Sequence, residues 1–270
     1  MISITFGVVL HVNLIFYRGG YIVKHLYCNP GRFVRVLVVL SLVLGLIGCG
    51  FVVSVPWIRN ADNNQVVNLG DSIFAMSGEI QDFLHGYAGE TFRRYATSGA
   101  ELTGGILAPS LFSQYATAKA DNPDIDIVFM DGGGNDILLP ALAFDPYDCK
   151  TQWYEWGRLS GSCKDFIDDL YVDMVNLLND MYADGVDHVI YQGYYYTKNG
   201  IFLCDDLEEA IDYGDAKIAQ ACQNAAGDCI FIDPRWTIKD SDIIADGIHP
   251  ATSGSQKLAN LIWPVLAPLL

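Results

Sequence analysis

Residues 65–72 read QVVNLGDS, a short run of strand-forming side chains that ends in glycine and passes to a serine at the start of a helical pattern. A helix is predicted from about Ile73 to Leu84, and Thr91–Ala96 reads as a second strand between glycines. Asp124–Met130 (DIDIVFM) is a third strand, stopped by Gly132, Gly133 and Gly134. Apolar residues at 166, 170, 174, 177, 178 and 181 form a helical stripe. Val186–Gln192 reads as the fourth strand, roughly Leu207–Gln223 as a helix, and Cys229–Ile232 as the fifth strand. A last helix is expected from near Pro250, a residue suited to a first helical turn, to about Leu266. This alternation predicts an α/β domain whose parallel sheet of about five strands is covered on both faces. In such sheets chemistry gathers in the loops that follow the C-terminal strand ends. The polar loops here are Gly70-Asp71-Ser72, Ser98-Gly99, Gly132 to Asp136 and Asp246 to His249.

The chain has 270 residues, 51% of them hydrophobic and 18% charged, which excludes a disordered or collagen-like polymer. Its net charge of −16 is unevenly placed. Residues 1–48 hold Arg18, Lys24, Arg32 and Arg35 and no acidic residue, so the remainder carries 12 basic against 32 acidic residues, a net of −20. So acidic a body repels phosphate backbones and anionic lipid surfaces, and no nucleic-acid partner is expected.

Val36 to Trp57 runs 22 residues without a charge, long enough to cross a bilayer core, behind Arg32 and Arg35. Residues 1–57 are therefore read as a membrane-targeting segment and 58–270 as the folded domain, placed outside the cytoplasm. Leu46-Ile47-Gly48-Cys49 resembles a bacterial lipobox, which makes Cys49 a candidate lipidation site; the other reading is an uncleaved transmembrane anchor. Beyond Cys28 and Cys49 the cysteines are Cys149, Cys163, Cys204, Cys222 and Cys229. Two disulfides and one spare thiol fit an oxidising compartment. No CxxC pair suggests structural zinc.

Ser72 at a helix start serves as an N-cap, or as a nucleophile whose developing charge the helix N-terminus favours. A nucleophile needs a base. His85 lies in a helix and His188 directly before a strand, which suits structural roles. His249 follows Asp246 by three residues, a spacing that lets the carboxylate accept the Nδ1 proton and leaves Nε2 to take the serine proton. Gly99 offers an unobstructed backbone N–H and Asn135 a side-chain amide to a developing oxyanion.

Gly70-Asp71-Ser72, Ser98-Gly99-Ala100, Gly133-Gly134-Asn135-Asp136 and Asp246-Gly247-Ile248-His249-Pro250 together resemble the four blocks of the SGNH (GDSL-type) hydrolase superfamily, in the family's order. The resemblance runs from about Gln65 to the C-terminus, roughly three-quarters of the chain. It implies a flavodoxin-like three-layer α/β/α domain and ester hydrolysis through an acyl-enzyme, without metal or organic cofactor. It further implies Ser72 as nucleophile, His249 as base then acid, Asp246 as orienting carboxylate, and Ser72 and Gly99 N–H with Asn135 as the oxyanion hole. Ile73-Phe74 departs from the family's frequent Leu or Tyr after the serine. So does the Asp145–Cys163 insertion, whose Trp153, Tyr154 and Trp156 wall a cleft or pack as an insertion core.

Three alternatives compete. An α/β-hydrolase elbow needs a glycine where Phe74 stands. A metal-dependent phosphohydrolase would draw on Asp131, Asp136 and Asp246 but lacks clustered histidines. A non-catalytic envelope lipoprotein that binds a glycan or partner does not require Ser, His, Asp and Asn together. The expected substrate is a short-chain ester, sugar-linked or lipid-derived, met in a bacterial envelope.

Overall fold

The structure is a computed structural model that describes residues 53–105, 107–151, 158–200 and 206–270. Cys49, Cys204 and Trp153, Tyr154 and Trp156 lie outside the described residues. Five strands, β1 (Asn63–Leu69), β2 (Phe92–Arg94), β3 (Ile127–Met130), β4 (His188–Gln192) and β5 (Asp228–Ile232), form one sheet in the order β2-β1-β3-β4-β5. Every pairing is parallel. The helices are α1 (Ser72–Ala75), α2 (Glu79–Ala88), α3 (Leu111–Asp121), α4 (Gly134–Ala143), α5 (Gly161–Ala183), α6 (Glu208–Asn224) and α7 (Thr252–Leu266).

Side chains alternate across each strand and feed two cores. Val67, Leu69, Val128, Met130, Val189 and Tyr191 pack with α3, α5 and α6. Val66, Ile127, Phe129, Ile190 and Ile232 pack with α1, α2 and α7. The domain is thus three layers, helix–sheet–helix. The chain leaves β1 for β2 on one side and returns to β3 on the other, so a crevice opens between the C-terminal ends of β1 and β3. That is the topological switch point of the sheet.

Several sequence expectations change. The helix expected over Ile73–Leu84 is two helices, because Gly78 takes a left-handed conformation (φ 72°) and caps α2. The second strand is only Phe92–Arg94. Its Arg93 is fully buried, yet its guanidinium donates to the carbonyls of Asn64, Ala118 and Asn122. Helices α3 and α4 were not anticipated; α4 starts inside the glycine run and carries Pro140, both poor helix signals. Pro250 precedes α7, whose N-cap is Ala251.

Val53–Ile58 run along the domain as a strap. Val55 N–H donates to Ala75 O (2.8 Å), Ile58 bridges Arg94, and Trp57 Nε1 donates to Thr97 Oγ1 (3.1 Å). Among the described residues no helix is long and apolar enough to cross a membrane.

Among the described residues two disulfides are present, Cys149–Cys163 and Cys222–Cys229. The first is buried with Ala141, Leu159, Ile167, Leu207 and Ala210 in a third small core. Closing a loop of this length removes denatured-state freedom worth about 3 kcal/mol. The double variant Cys149→Ser/Cys163→Ser is expected to lose about that much unfolding free energy in urea titrations; an unchanged midpoint would show that the small core needs no staple.

Candidate active site

Ser72 is the first residue of α1, immediately after the C-terminal end of β1. The turn that puts it there depends on Gly70. With φ 146°, its backbone lies against the Asp131 carboxyl, where a Cβ would collide with Asp131 Oδ1. The side chain of Gln114 grips Gly70 twice, accepting from its N–H and donating to its C=O, both at 2.9 Å. Asp71 caps α1, its Oδ1 accepting from Ile73 N–H at 2.9 Å, and its own N–H donates to Asp131 Oδ1 at 2.7 Å. The helix N-cap is therefore Asp71, and Ser72 lines a cleft.

The Ser98-Gly99-Ala100 loop is held from three sides. Thr97 N–H donates to Gly70 O (3.0 Å), Asn135 Nδ2 donates to Ala100 O (2.9 Å), and Ser98 binds the strap. In that last contact Ser98 N–H donates to Ser54 Oγ (2.9 Å) and Ser98 Oγ to Val53 O (2.7 Å). Asn135 lies in the first turn of α4, which starts at the C-terminal end of β3, and it lines the cleft beside Ser72.

Asp246 and His249 lie on the loop before α7. Asp246 Oδ2 is 2.6 Å from His249 Nδ1, while Oδ1 accepts from the N–H groups of Ile248 (2.9 Å) and His249 (3.0 Å). Burial raises the Asp246 pKa, but these hydrogen bonds outweigh it and hold the carboxyl below its ordinary range. The loop is tight because Gly247 (φ 91°) packs against the Lys198 carbonyl, leaving no room for a side chain. Tyr195 Oη–H donates to Ile248 O at 2.7 Å, and Ile248 lines the same cleft as Ser72.

The structure thus gathers Ser72, Gly99, Asn135, Asp246 and His249 at one end of the sheet, around the switch point. The other two described histidines are elsewhere: His85 Nε2 accepts from Phe92 N–H (3.0 Å), and His188 Nδ1 pairs with Asp228 (2.7 Å).

Similar folds occur among solved structures. A protein from Slackia heliotrinireducens assigned provisionally as an SGNH hydrolase is 16% identical, with 74% of this chain and 97% of that one covered and a TM-score of 0.51. Est24, a carbohydrate acetylesterase from Sinorhizobium meliloti, is 13% identical, with 76% and 99% covered and a TM-score of 0.52. The fold is that of the SGNH hydrolases. A carbohydrate esterase family 3 protein from Talaromyces cellulolyticus is also similar, 20% identical with 76% and 96% covered and a TM-score of 0.50. No family profile matches the sequence, and no curated protein matches it either.

Within this SGNH-type fold, the residues beneath Ser72 are ones the sequence did not single out for this work. Tyr194 Oη–H donates to Asp71 Oδ2 (2.8 Å) and accepts from Gly134 N–H (3.1 Å), joining the β1 turn to the start of α4. Tyr191 Oη–H donates to Gly132 O (2.9 Å). A usable signal was present: the YQGYYY run, residues 191–196, spans the C-terminal end of β4, the same end as every other site loop. Asp131, considered only as a metal ligand, supports the Asp71 backbone instead.

This region buries an unusual number of carboxyls. Burial and the neighbouring Asp71 charge push Asp131 well above the ordinary carboxylate range. Burial pushes Asp136 up to about 7, although it accepts from Leu102 N–H. Burial pushes Asp215 up to about 8, against the Tyr194 N–H bond and the Arg235 guanidinium 3.5 Å away. Each group binds its proton more tightly folded than unfolded, so stability falls as pH rises through the folded values. Asp246, Asp233 and Asp242 are held low and finish titrating below that window. Between about pH 5.5 and about pH 8.5 the Tm is expected to drop by several degrees, and Asp215→Asn to flatten the drop. Scanning calorimetry across that range checks it; a flat profile would mean that these carboxyls ionise freely while folded.

Proposed function

We propose that the protein is a serine esterase that hydrolyses carboxylic esters through an acyl-enzyme. The observation that carries this reading is Ser72 at the switch point, on a cleft shared with Asn135 and Ile248, with Asp246 fixed on His249 Nδ1 at 2.6 Å. Asp246 orients His249 by accepting from Nδ1–H, which leaves Nε2 as the proton acceptor for Ser72. Attack of Ser72 Oγ on the ester carbonyl gives a tetrahedral oxyanion. The N–H groups of Ser72 and Gly99 and the Asn135 amide donate to it. His249 then delivers its proton to the leaving alcohol. Water attacks the acyl-enzyme with His249 again as base, releasing the acid and free Ser72. The mechanism calls for no metal or organic cofactor.

The substrates proposed are esters linked to sugars or derived from lipids, met outside the cytoplasm. Two disulfides support an oxidising compartment, and the charge-free stretch Val36–Trp57 supports attachment to a bacterial envelope membrane, through a lipidated Cys49 or a single span.

A fluorophosphonate probe is expected to label the parent protein and to spare Ser72→Ala, with matching loss of p-nitrophenyl ester hydrolysis. Asp246→Asn should lower kcat about 10⁴-fold by presenting the wrong tautomer, and Asn135→Ala about 10²- to 10³-fold. On acidification kcat/KM should fall, because a protonated His249 cannot accept the serine proton. A folded parent that neither labels nor turns over any ester would favour a glycan- or partner-binding protein instead.

A further inference from the structure

The cleft that holds Ser72 does not end at the site. Its cavity volume is about 80 Å³, and it extends from Ser72 and Asn135 into the helical layer between α4, α5 and α6. Its walls there are almost entirely aliphatic: Ile137 and Leu138 from α4, Ile167, Leu170 and Met174 from α5, and Ile218 from α6. The three α5 residues are all buried, on one face at helical spacing, and yet border open space.

Protein interiors are packed to crystal-like density, and unfilled space among core side chains costs stability. A space this size next to a nucleophile is therefore kept open by its surroundings, and Gly214 shows how. It lies in mid-α6, where glycine is about 1 kcal/mol less favourable than alanine. It lines the cleft, and a Cβ there would meet only Ile137 Cδ1, at 3.9 Å. Neither strain nor crowding demands a glycine at this position; what its missing side chain leaves is room. The buried Cys149–Cys163 disulfide packs behind the wall, in one cluster with Ile167 and Ala210.

We infer that this inner cleft is the acyl-chain site, and that the acyl group it takes is an unbranched aliphatic chain longer than acetyl. The inference rests on the serine-esterase reading above and narrows its substrate class to medium-chain acyl esters. A sugar would meet few hydrogen-bonding partners between these walls, so the alcohol part of the ester faces the mouth. Most polar atoms near the inner cleft are already engaged, Thr197 Oγ1 and Asp215 Oδ2 being the buried ones there without a hydrogen-bond partner among the described residues. Asp71 accepts from Ile73 N–H and Tyr194 Oη–H, and Asp215 Oδ1 accepts from Tyr194 N–H at 2.9 Å, burial pushing its carboxyl up to about 8.

The test measures kcat/KM on p-nitrophenyl acetate, butyrate, hexanoate and octanoate, for the full-length parent protein and for Gly214→Leu. Each methylene buried in the cleft is expected to raise kcat/KM about fourfold from acetate to hexanoate. Leucine at 214 fills the space from inside, so the hexanoate-to-acetate ratio should fall at least tenfold. Gly214→Ala, which improves the helix and intrudes least, should give an intermediate ratio. Labelling of Ser72 by a short fluorophosphonate reports that each variant is folded with its site intact. A parent that prefers acetate, or a labelled Gly214→Leu whose chain-length profile matches the parent's, would overturn the acyl-site assignment and leave the esterase standing. A parent that does not label at all would overturn both.

Discussion

Between the C-terminal ends of β1 and β3, the Asp71 N–H donates to the buried carboxyl of Asp131. The rest of the site depends on that contact, because it turns the chain away from the sheet just before Ser72. Asp131 can sit there only because Gly70 has no side chain, and burial beside Asp71 holds its carboxyl well above the ordinary range. Asp71 in turn caps α1 and accepts from Tyr194, whose hydroxyl also takes the Gly134 N–H at the start of the helix that carries Asn135. Two strand ends and two helix starts are thus locked by one short chain of hydrogen bonds. Breaking a member would leave a buried polar group without its partner, which is costlier than losing the bond alone.

The sheet was legible because its strands are continuous apolar runs of the kind a doubly covered parallel sheet requires. The helices on either side of β3 were not. Leu111–Asp121 has a weak apolar stripe, and Gly134–Ala143 opens on glycines and contains proline. What makes α4 helical is its place: its first turn is tied down by Tyr194 and by Asn135 reaching Ala100. Local propensity contains none of that. The same holds at Gly78, where a left-handed residue divides one apparent helix in two so that α1 can stay a single turn beneath Ser72.

Within the site, the residues with chemical signatures were legible: a serine after the first strand, an Asp–His pair three apart, and an asparagine behind glycines. The residues that hold them were hidden, because Gln114, Tyr194 and Asp131 act through partners far away in sequence. Gln114 grips Gly70 from 44 positions away and Tyr194 reaches Asp71 from 123. A polar residue on a helix or at a strand end carries no mark of such a duty until the fold brings its partner close. The void behind Ser72 was equally invisible, since its walls use the same isoleucines and leucines as any core.

The strap at Val53–Ile58 is tied to the loop that carries Gly99. The Ser98 amide and hydroxyl are both bonded to Ser54 and Val53, one residue from Gly99, while Asn135 holds the same loop from its opposite side. A protease that cut just beyond Ser54 would leave the three-layer body whole, with both disulfides and every core residue in place. It would nevertheless free one side of the Gly99 loop. Folding and readiness of the site would then part company, with an intact scaffold carrying a slack Gly99 loop.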